Sequence, residues 1–279
     1  MQARVLFFDS GVGGLTVLTA TRERCPQLEL SYLFDNACFP YGEKSEEFLI
    51  TRVGMLLTTA CRELKPDLMV IACNTASTVA LPAVRKMLSV PIVGVVPAIK
   101  PAAAVSKRKI IGLLATPGTI KRHYTQDLIE NFAAHEEVLR IGTTKLVEIA
   151  EAKLQGKKPD LKEIAAISAP WLSLPREKQP DVVVLGCTHY PWLREEISAV
   201  LGADVTLIDS GAAVARRVES LLQNMTLPQR KLKSGSCAIY CTKLDDSLDA
   251  RVQALAPWGI DSIHLLPGHN TKTQDKIDR

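Results

Sequence analysis

Two stretches of the chain repeat one pattern of residues. Residues 66–73 read Pro-Asp-Leu-Met-Val-Ile-Ala-Cys, and residues 180–187 read Pro-Asp-Val-Val-Val-Leu-Gly-Cys. Each stretch is a short apolar run after a turn signal, which is typical of a strand buried on both faces of a sheet. In open parallel sheets, ligands bind beyond the carboxyl ends of the strands, where a helix N-terminus usually follows. The repeat therefore predicts two equivalent half-sites, which present the thiols of Cys73 and Cys187.

Strand-like and helix-like segments alternate along the rest of the chain. This alternation predicts an α/β fold with parallel sheets. Because the strand that ends in cysteine occurs twice, we expect two pseudo-symmetric lobes, each a mainly parallel sheet flanked by helices, with the active site in the cleft between them. Residues 97–106 are interpreted as an alanine-rich connector, and residues 192–201 and 244–255 as helices.

The composition excludes several classes of protein. With 47% apolar and 23% charged residues, the chain resembles an ordinary globular protein. No stretch approaches the roughly 18 uncharged apolar residues of a membrane span, and the start of the chain does not match a secretion signal. The net charge of +4 is spread over scattered Lys and Arg residues, so we expect no nucleic-acid partner.

The cysteine count bears on the compartment and on metals. The seven cysteines are an odd number and include no C-x-x-C motif, which predicts a reducing cytoplasm rather than a disulfide framework. None of the five histidines lies at metal-ligand spacing from a cysteine pair. We therefore expect no metal site.

A glycine-rich turn follows the first predicted strand. Residues 9–15 read Asp-Ser-Gly-Val-Gly-Gly-Leu. Thr16 breaks the dinucleotide fingerprint, and the Gly-Lys-Ser/Thr ending of a phosphate loop is missing. The glycines are compatible with a tight structural turn or with backbone N–H groups that hold an anion at a helix start. Asp9 stands at the tip of the strand, which favours a functional site.

Four interpretations of the repeated cysteines remain open at this point. Cys73 and Cys187 could be buried structural residues, or an oxidised pair. One of them could be a nucleophile that works with His189 and an acid in acyl transfer. The fourth interpretation is two-base proton transfer, in which one group removes a proton from carbon and the other delivers one to the opposite face. Inversion of a stereocentre needs like groups on both sides of a planar intermediate, and a duplicated lobe would supply them.

Five motifs carry a resemblance to a known family. They are residues 9–15, 40–42 (Pro-Tyr-Gly), 73–77 (Cys-Asn-Thr-Ala-Ser), 186–191 (Gly-Cys-Thr-His-Tyr-Pro) and 209–211 (Asp-Ser-Gly). They resemble the motifs of the bacterial glutamate racemases, in the family's order and over nearly the whole chain. The two cysteine motifs are shared with the wider aspartate/glutamate racemase superfamily.

The resemblance implies a cofactor-independent interconversion of L- and D-glutamate that supplies D-glutamate for peptidoglycan. It assigns catalysis to Cys73, which deprotonates D-glutamate, and to Cys187, which deprotonates L-glutamate. Asp9 would assist on the first side and His189 on the second. Glu151 falls where the family often carries an acid near this histidine, although the sequence of residues 148–150 differs from the one usual in the family. Substrate binding is implied for Asp9, Ser10, Tyr41, Gly42, Asn74, Thr75, Thr188 and His189.

The resemblance also implies how the chain divides. We expect one lobe of residues 1–96 with 209–266, which carries Cys73, and a second lobe of residues 97–208, which carries Cys187. Residues 267–279 are expected to form a polar tail. No extension precedes the first strand, so the resemblance leaves open the activation by a cell-wall precursor that some extended members show.

Other functions remain open beside glutamate racemisation. The chain could racemise aspartate or another amino acid, or it could be a binding or inhibitory protein of the same fold, such as an inhibitor of DNA gyrase. We expect glutamate as a small-molecule partner and no membrane partner. A homodimer also remains open.

Overall fold

The computed structural model describes residues 3–228, 235–245, 248, 252–253, 255–256 and 262–269. The chain divides into two units, and the first is discontinuous. The first unit comprises Met1–Val95 with Gly211–Arg279, and the second comprises Val96–Ser210. Half of residues 244–255, where a helix is expected, lie outside the described residues, and the tail beyond residue 269 lies outside them entirely.

Each unit is built on a parallel sheet. The strands are β1 (Arg4–Asp9), β2 (Glu29–Phe34), β3 (Leu68–Ile71), β4 (Ile92–Gly94), β5 (Ile110–Ala115), β6 (Glu137–Gly142), β7 (Val182–Leu185), β8 (Thr206–Ile208), β9 (Cys237–Cys241) and β10 (Ile263–Leu265). The first unit has the strand order β10-β9-β2-β1-β3-β4, and the second has β6-β5-β7-β8. Every pairing between these strands is parallel.

Helices flank both sheets. They are α1 (Leu15–Arg24), α2 (Glu46–Leu64), α3 (Asn74–Met87), α4 (Ile99–Val105), α5 (Pro117–Lys121), α6 (His123–Phe132), α7 (Lys145–Leu154), α8 (Leu161–Leu172), α9 (Arg194–Leu201) and α10 (Gly211–Gln223). Short 3-10 helices lie at Tyr41–Glu43, Arg176–Lys178 and Tyr190–Leu193. The predicted α/β class, with two mainly parallel sheets flanked by helices, is confirmed.

Two helical segments differ from the sequence-based expectation. The expected connector at residues 97–106 contains α4, because three alanines favour a helix and Pro101 falls in its first turn, where proline is tolerated. The helix expected to start at residue 192 begins with the 3-10 helix Tyr190–Leu193 and becomes α-helical only at Arg194.

The repeated apolar runs are the central strands. All four residues of β3 and all four residues of β7 are buried, as expected for strands covered on both faces. Among the helices of the described residues, none has the length and hydropathy that crossing a lipid bilayer requires.

The parallel register carries the ends of these strands to a common edge in each unit. In the first unit Phe8 pairs with Ile71, so Asp9 and the residues after β3 leave the sheet side by side. In the second unit Leu114 pairs with Leu185, which brings the residues after β5 and β7 together in the same way. The sequence-predicted site residues therefore follow strand ends in both units.

Gly14 is needed where the first loop folds onto the strand ends. A Cβ at this position would lie 2.7 Å from Ala72 Cβ, 2.7 Å from Asp9 Oδ2 and 2.9 Å from the hydroxyl oxygen of Tyr32. These distances are shorter than any ordinary van der Waals contact. Close approach of the loop to β3 is therefore the reason for glycine here.

We expect Gly14→Ala to destabilise the protein by about 1–3 kcal/mol, because the added methyl forces the loop off β3. The measurement is the free energy of unfolding by urea. Gly54→Ala in α2 is the matched control, since its nearest neighbour is the flexible end of Met87 at 3.1 Å. The control should cost nothing or add up to about 1 kcal/mol of helix stability. Equal effects of both changes would contradict the packing argument.

Candidate active site

Cys73 begins a helix at the edge of the first unit's sheet. It lies two residues beyond β3 and is the N-cap of α3, in extended backbone conformation. Its Sγ atom accepts a hydrogen bond from the backbone N–H of Ala76 at 3.5 Å. The side chain is 6% exposed. The thiol therefore points at the free N–H groups of the first helical turn, where the helix dipole favours negative charge.

Asp9 and Ser10 connect to this thiol. The buried Asp9 carboxylate accepts hydrogen bonds from the backbone N–H of Ser10 at 2.6 Å and from its hydroxyl at 3.2 Å. The Ser10 hydroxyl lies 3.7 Å from Cys73 Sγ. Since a hydroxyl has one hydrogen, a Ser10 that donates to Asp9 can accept from the Cys73 thiol. We call Asp9, Ser10 and Cys73 the Cys73 group.

The first turns of α3 contain two polar atoms without partners. Asn74 and Ser77 are 5% and 2% exposed. Asn74 Oδ1 and Ser77 Oγ are buried and have no hydrogen-bond partner among the described residues. Buried polar atoms are normally paired. The Asn74 oxygen is therefore an acceptor available to a ligand beside Cys73.

Tyr41 lies near this group, but its hydroxyl is engaged elsewhere. Its ring packs 6.3 Å from that of Phe8 and belongs to the same apolar core as Cys73. The hydroxyl donates to Asp35 Oδ2 at 2.6 Å. Burial, with a further contribution from the Asp35 carboxylate, raises the pKa of the Tyr41 phenol well above its ordinary value. Any contact of Tyr41 and Gly42 with a substrate therefore falls to the backbone of their turn.

Sequence reasoning missed the buried ion pair that surrounds Tyr41. Arg52 Nε and Nη2 donate to the two oxygens of Asp35 at 2.8 and 2.7 Å, and Thr242 Oγ1 donates to Asp35 Oδ1 at 2.6 Å. We call Asp35, Tyr41, Arg52 and Thr242 the Asp35 cluster. One signal was available in the sequence, because Arg52 lies on the apolar face of α2 beside Leu49 and Val53.

Cys187 has different surroundings in the second unit. It lies two residues beyond β7, and no α-helix begins there, because the next helical turn is the 3-10 helix Tyr190–Leu193. The Tyr190 hydroxyl donates to the carbonyl oxygen of Thr143 at 2.6 Å, which ties this segment to the end of β6. The two copies of the repeat therefore share a strand and a cysteine but present the thiol differently, and the predicted equivalence is wrong at the helix.

His189 joins Cys187 to an acid on α7. Its Nε2 lies 2.9 Å from Glu151 Oε1, and it is hydrogen-bonded to the Cys187 side chain as well. Burial alone would lower the pKa of His189, but the hydrogen bonds and negative charges of Cys187 and Glu151 outweigh it and raise the pKa to about 10. We call Cys187, His189 and Glu151 the Cys187 group.

Lys153 fixes the helix that carries Glu151. Its Nζ donates to the carbonyl oxygen of Trp192 at 2.9 Å and pairs with Glu196 at 2.8 Å. This contact ties α7 to the segment that follows His189. The geometry of the Glu151–His189 pair therefore depends on packing between elements far apart in the sequence.

Within each unit, the structure brings most of the sequence-predicted residues together. Asp9, Ser10, Cys73 and Asn74 meet at one sheet edge. At the other, Thr188 is 6% exposed and lies between Cys187 and His189 in the chain. The part of the chain that the structure describes contains no group of three or more His, Cys, Asp or Glu side chains placed to hold a metal ion.

We expect the stability contributed by His189 to depend on pH. Because its folded-state pKa is raised from 6.5 to about 10, this contribution is complete below pH 6.5 and is lost as the pH rises through about 10. The measurement is the free energy of unfolding of the unchanged protein and of His189→Gln across this range. The difference between the two proteins should shrink toward alkaline pH, and parallel curves would contradict the assignment.

The chain is similar to known proteins in sequence and in fold. The profile of the Asp/Glu/Hydantoin racemase family matches residues 16–218. The chain is 52% identical to glutamate racemase from Vibrio vulnificus over 95% of this chain and 98% of that protein. It is 46% identical to glutamate racemase from Pectobacterium carotovorum over 94% of this chain and 91% of that protein.

A solved structure extends these similarities to the fold. Escherichia coli glutamate racemase, crystallised with L-glutamate and the activator UDP-MurNAc-Ala, superposes with a TM-score of 0.90 at 44% identity. The match covers 95% of this chain and 98% of that chain. With the family profile and the relatives, it shows that this chain belongs to the Asp/Glu/Hydantoin racemase family and, within that family, to the glutamate racemases.

Proposed function

We propose that this protein interconverts L-glutamate and D-glutamate by a two-base mechanism, with Cys73 and Cys187 as the two bases. One observation carries the proposal: each repeated cysteine contacts its own polar partner, Ser10 for Cys73 and His189 for Cys187. The relatives that are glutamate racemases, and the L-glutamate bound in the Escherichia coli enzyme, support glutamate as the substrate.

The proposed reaction inverts the α-carbon through a planar carbanion. For D-glutamate, the Cys73 thiolate removes the α-hydrogen, and the Cys187 thiol delivers a proton to the opposite face. For L-glutamate the two cysteines exchange these tasks. Each turnover leaves the cysteines in exchanged protonation states, so protons must return through neighbouring groups before the next substrate of the same hand. No cofactor takes part in these steps.

The groups next to the cysteines suit this proton return. On the first side, the Ser10 hydroxyl lies between Cys73 and the Asp9 carboxylate, so a proton can pass between thiol and carboxylate through one hydroxyl. On the second side, the raised pKa of His189 keeps the imidazolium charged at neutral pH, and it faces Cys187 as a donor. Asp9 and His189 are therefore the proposed assisting acids.

The proposed binding groups match the charges of glutamate. Its ammonium group needs acceptors, and the buried Asn74 oxygen has no partner among the described residues. Its carboxylates need donors, which backbone N–H groups supply at the start of α3 and at the Tyr41–Gly42 turn. The hydroxyls of Ser10, Thr75 and Thr188 complete the set, and all three side chains are buried.

The proposed biological role follows from the product. D-glutamate is a component of peptidoglycan, so a glutamate racemase supplies cell-wall synthesis with an amino acid in the D configuration. We place this supply in the cytoplasm, where the seven cysteines would remain reduced. Oligomeric assembly has no part in the proposal.

We expect Cys73→Ala and Cys187→Ala to abolish racemisation, because either change leaves one face of the α-carbon without a base. The measurement is circular dichroism of glutamate with each enantiomer as substrate. Cys25→Ala, which alters another buried cysteine of the first unit, is the control and should keep the activity. Substantial turnover in either catalytic variant would contradict the two-base mechanism.

In deuterated water, the product enantiomer should carry deuterium at the α-carbon, because the delivered proton comes from a cysteine that has exchanged with solvent. Nuclear magnetic resonance or mass spectrometry of early product measures this label. Product without deuterium would rule out solvent-derived protonation by the second cysteine.

The same assay tests the choice of substrate. We expect glutamate to be racemised at least about 100-fold faster than aspartate, since a site built to pair both carboxylates strongly disfavours a shorter analogue that leaves polar groups unpaired. Comparable kcat/KM values for aspartate would favour an aspartate racemase of the same superfamily.

A further inference from the structure

In the Asp35 cluster, every hydrogen-bond acceptor position of the buried Asp35 carboxylate is occupied. Asp35 is fully buried and Arg52 is 1% exposed. Oδ1 of Asp35 accepts from Arg52 Nη2 and Thr242 Oγ1, and Oδ2 accepts from Arg52 Nε and the Tyr41 hydroxyl, all within 2.6–2.8 Å. Two donors on each oxygen fill the four lone-pair positions of a carboxylate. Loss of any one donor leaves a buried acceptor unpaired.

The Thr242 hydroxyl both donates and accepts a hydrogen bond. Besides donating to Asp35, Oγ1 accepts a hydrogen bond from the backbone N–H of Ala37 at 3.2 Å. The backbone N–H groups of Thr242 and Lys243 donate to the Asn36 side-chain oxygen at 3.2 and 3.0 Å. The segment after β9 thus fixes residues 35–37. The parallel pairing of Phe34 with Cys241 places the two segments side by side.

The fixed carboxylate in turn holds the Tyr41–Gly42 turn. The Tyr41 side chain is 1% exposed, and its hydroxyl reaches Asp35 across the loop of residues 36–40. Its ring shares an apolar core with Phe8 and Cys73, and the 3-10 helix that it starts packs against α3. Asp35 therefore sets the position of a turn that lies against the helix of Cys73.

The charges of the Asp35 cluster are also compatible with a nearby binding site for an anionic substrate. The Arg52 guanidinium balances Asp35, and the hydrogen bonds and charge of Asp35 raise the pKa of Arg52 against the opposing effect of burial. A fully buried carboxylate without this partner would repel a dicarboxylate substrate nearby. The pair thus holds the turn without adding net negative charge beside Cys73.

We infer that Thr242 and Arg52 are positioning residues for substrate binding: through the Asp35 carboxylate they fix the Tyr41–Gly42 turn beside Cys73. The inference rests on the proposed function for the role of that turn. In this inference, substrate binding also depends on a residue outside the N-terminal motifs, because Thr242 belongs to the part of the first unit that follows the second unit in sequence. Neither residue contacts the substrate in this role.

The test compares Thr242→Val with Thr242→Ser. Valine keeps the shape but loses both hydrogen bonds of the hydroxyl, whereas serine keeps them. A loosened turn weakens binding in the ground state and the transition state alike, so we expect KM for glutamate to rise about tenfold with kcat nearly unchanged. Thr242→Ser should restore KM. Steady-state racemisation in both directions gives these values.

Thr21→Val is the matched control. Thr21 is also fully buried in the first unit, and its hydroxyl donates to the carbonyl oxygen of Val17 at 3.0 Å. Both variants lose a buried hydroxyl, so a general loss of stability would lower Tm in both. Only Thr242→Val loosens the Tyr41–Gly42 turn, so only this variant should raise KM. If Thr242→Val does not fold, Tyr41→Phe removes the other hydroxyl from Asp35 and should raise KM in the same way.

The outcomes separate the two proposals. An unchanged KM in Thr242→Val, or an equal rise in Thr21→Val, would overturn the positioning role and leave the racemase proposal standing. Absence of racemisation in the unchanged protein would overturn the proposed function and this inference with it.

Discussion

Parallel strand pairing is the constraint on which the two candidate groups depend. Hydrogen bonds between parallel strands carry the ends of neighbouring strands to one edge of a sheet. In the first unit, β1, β2, β3 and β9 all end there, and a polar residue or a cysteine lies within two residues after each of them. Residues that are remote in sequence thereby become neighbours. Strand β3 is itself apolar, so the candidate catalytic side chain next to it comes from the residues that follow the strand.

The repeated cysteine has different surroundings in the two units. In the first, Cys73 caps an α-helix and has a hydroxyl and a carboxylate behind it. In the second, a buried imidazolium flanked by Glu151 takes that place beside Cys187. One side offers a helix terminus and the other a fixed positive charge. The proposed two-base mechanism does not require identical surroundings for the two cysteines, because each needs only a thiol whose protonation can be exchanged.

The sequence predicted the parts of this arrangement that are local. Apolar runs of four residues identified β3 and β7, and the cysteines were found because each lies two residues beyond its run. Asp9 and Ser10 were found for the same reason at the end of β1. The Asp35–Arg52 pair was missed, because the position of Arg52 on the apolar face of α2 does not by itself show that the carboxylate of Asp35, which follows β2, lies opposite it. The Glu151–His189 contact could be anticipated only from the family resemblance, since it needs α7 to be placed against residue 189.

The discontinuity of the first unit affects the order in which its parts become available during synthesis. Strand β9 and Thr242 leave the ribosome only after all of Val96–Ser210 has been made. Until then, β2 lacks its β9 partner, and Asp35 lacks one of its four donors. A nascent chain that already contains Cys73, Cys187 and the whole second unit thus still has an Asp35 carboxylate that lacks one of its donors. Thr242 thus completes a group whose carboxylate, that of Asp35, was made 207 residues earlier.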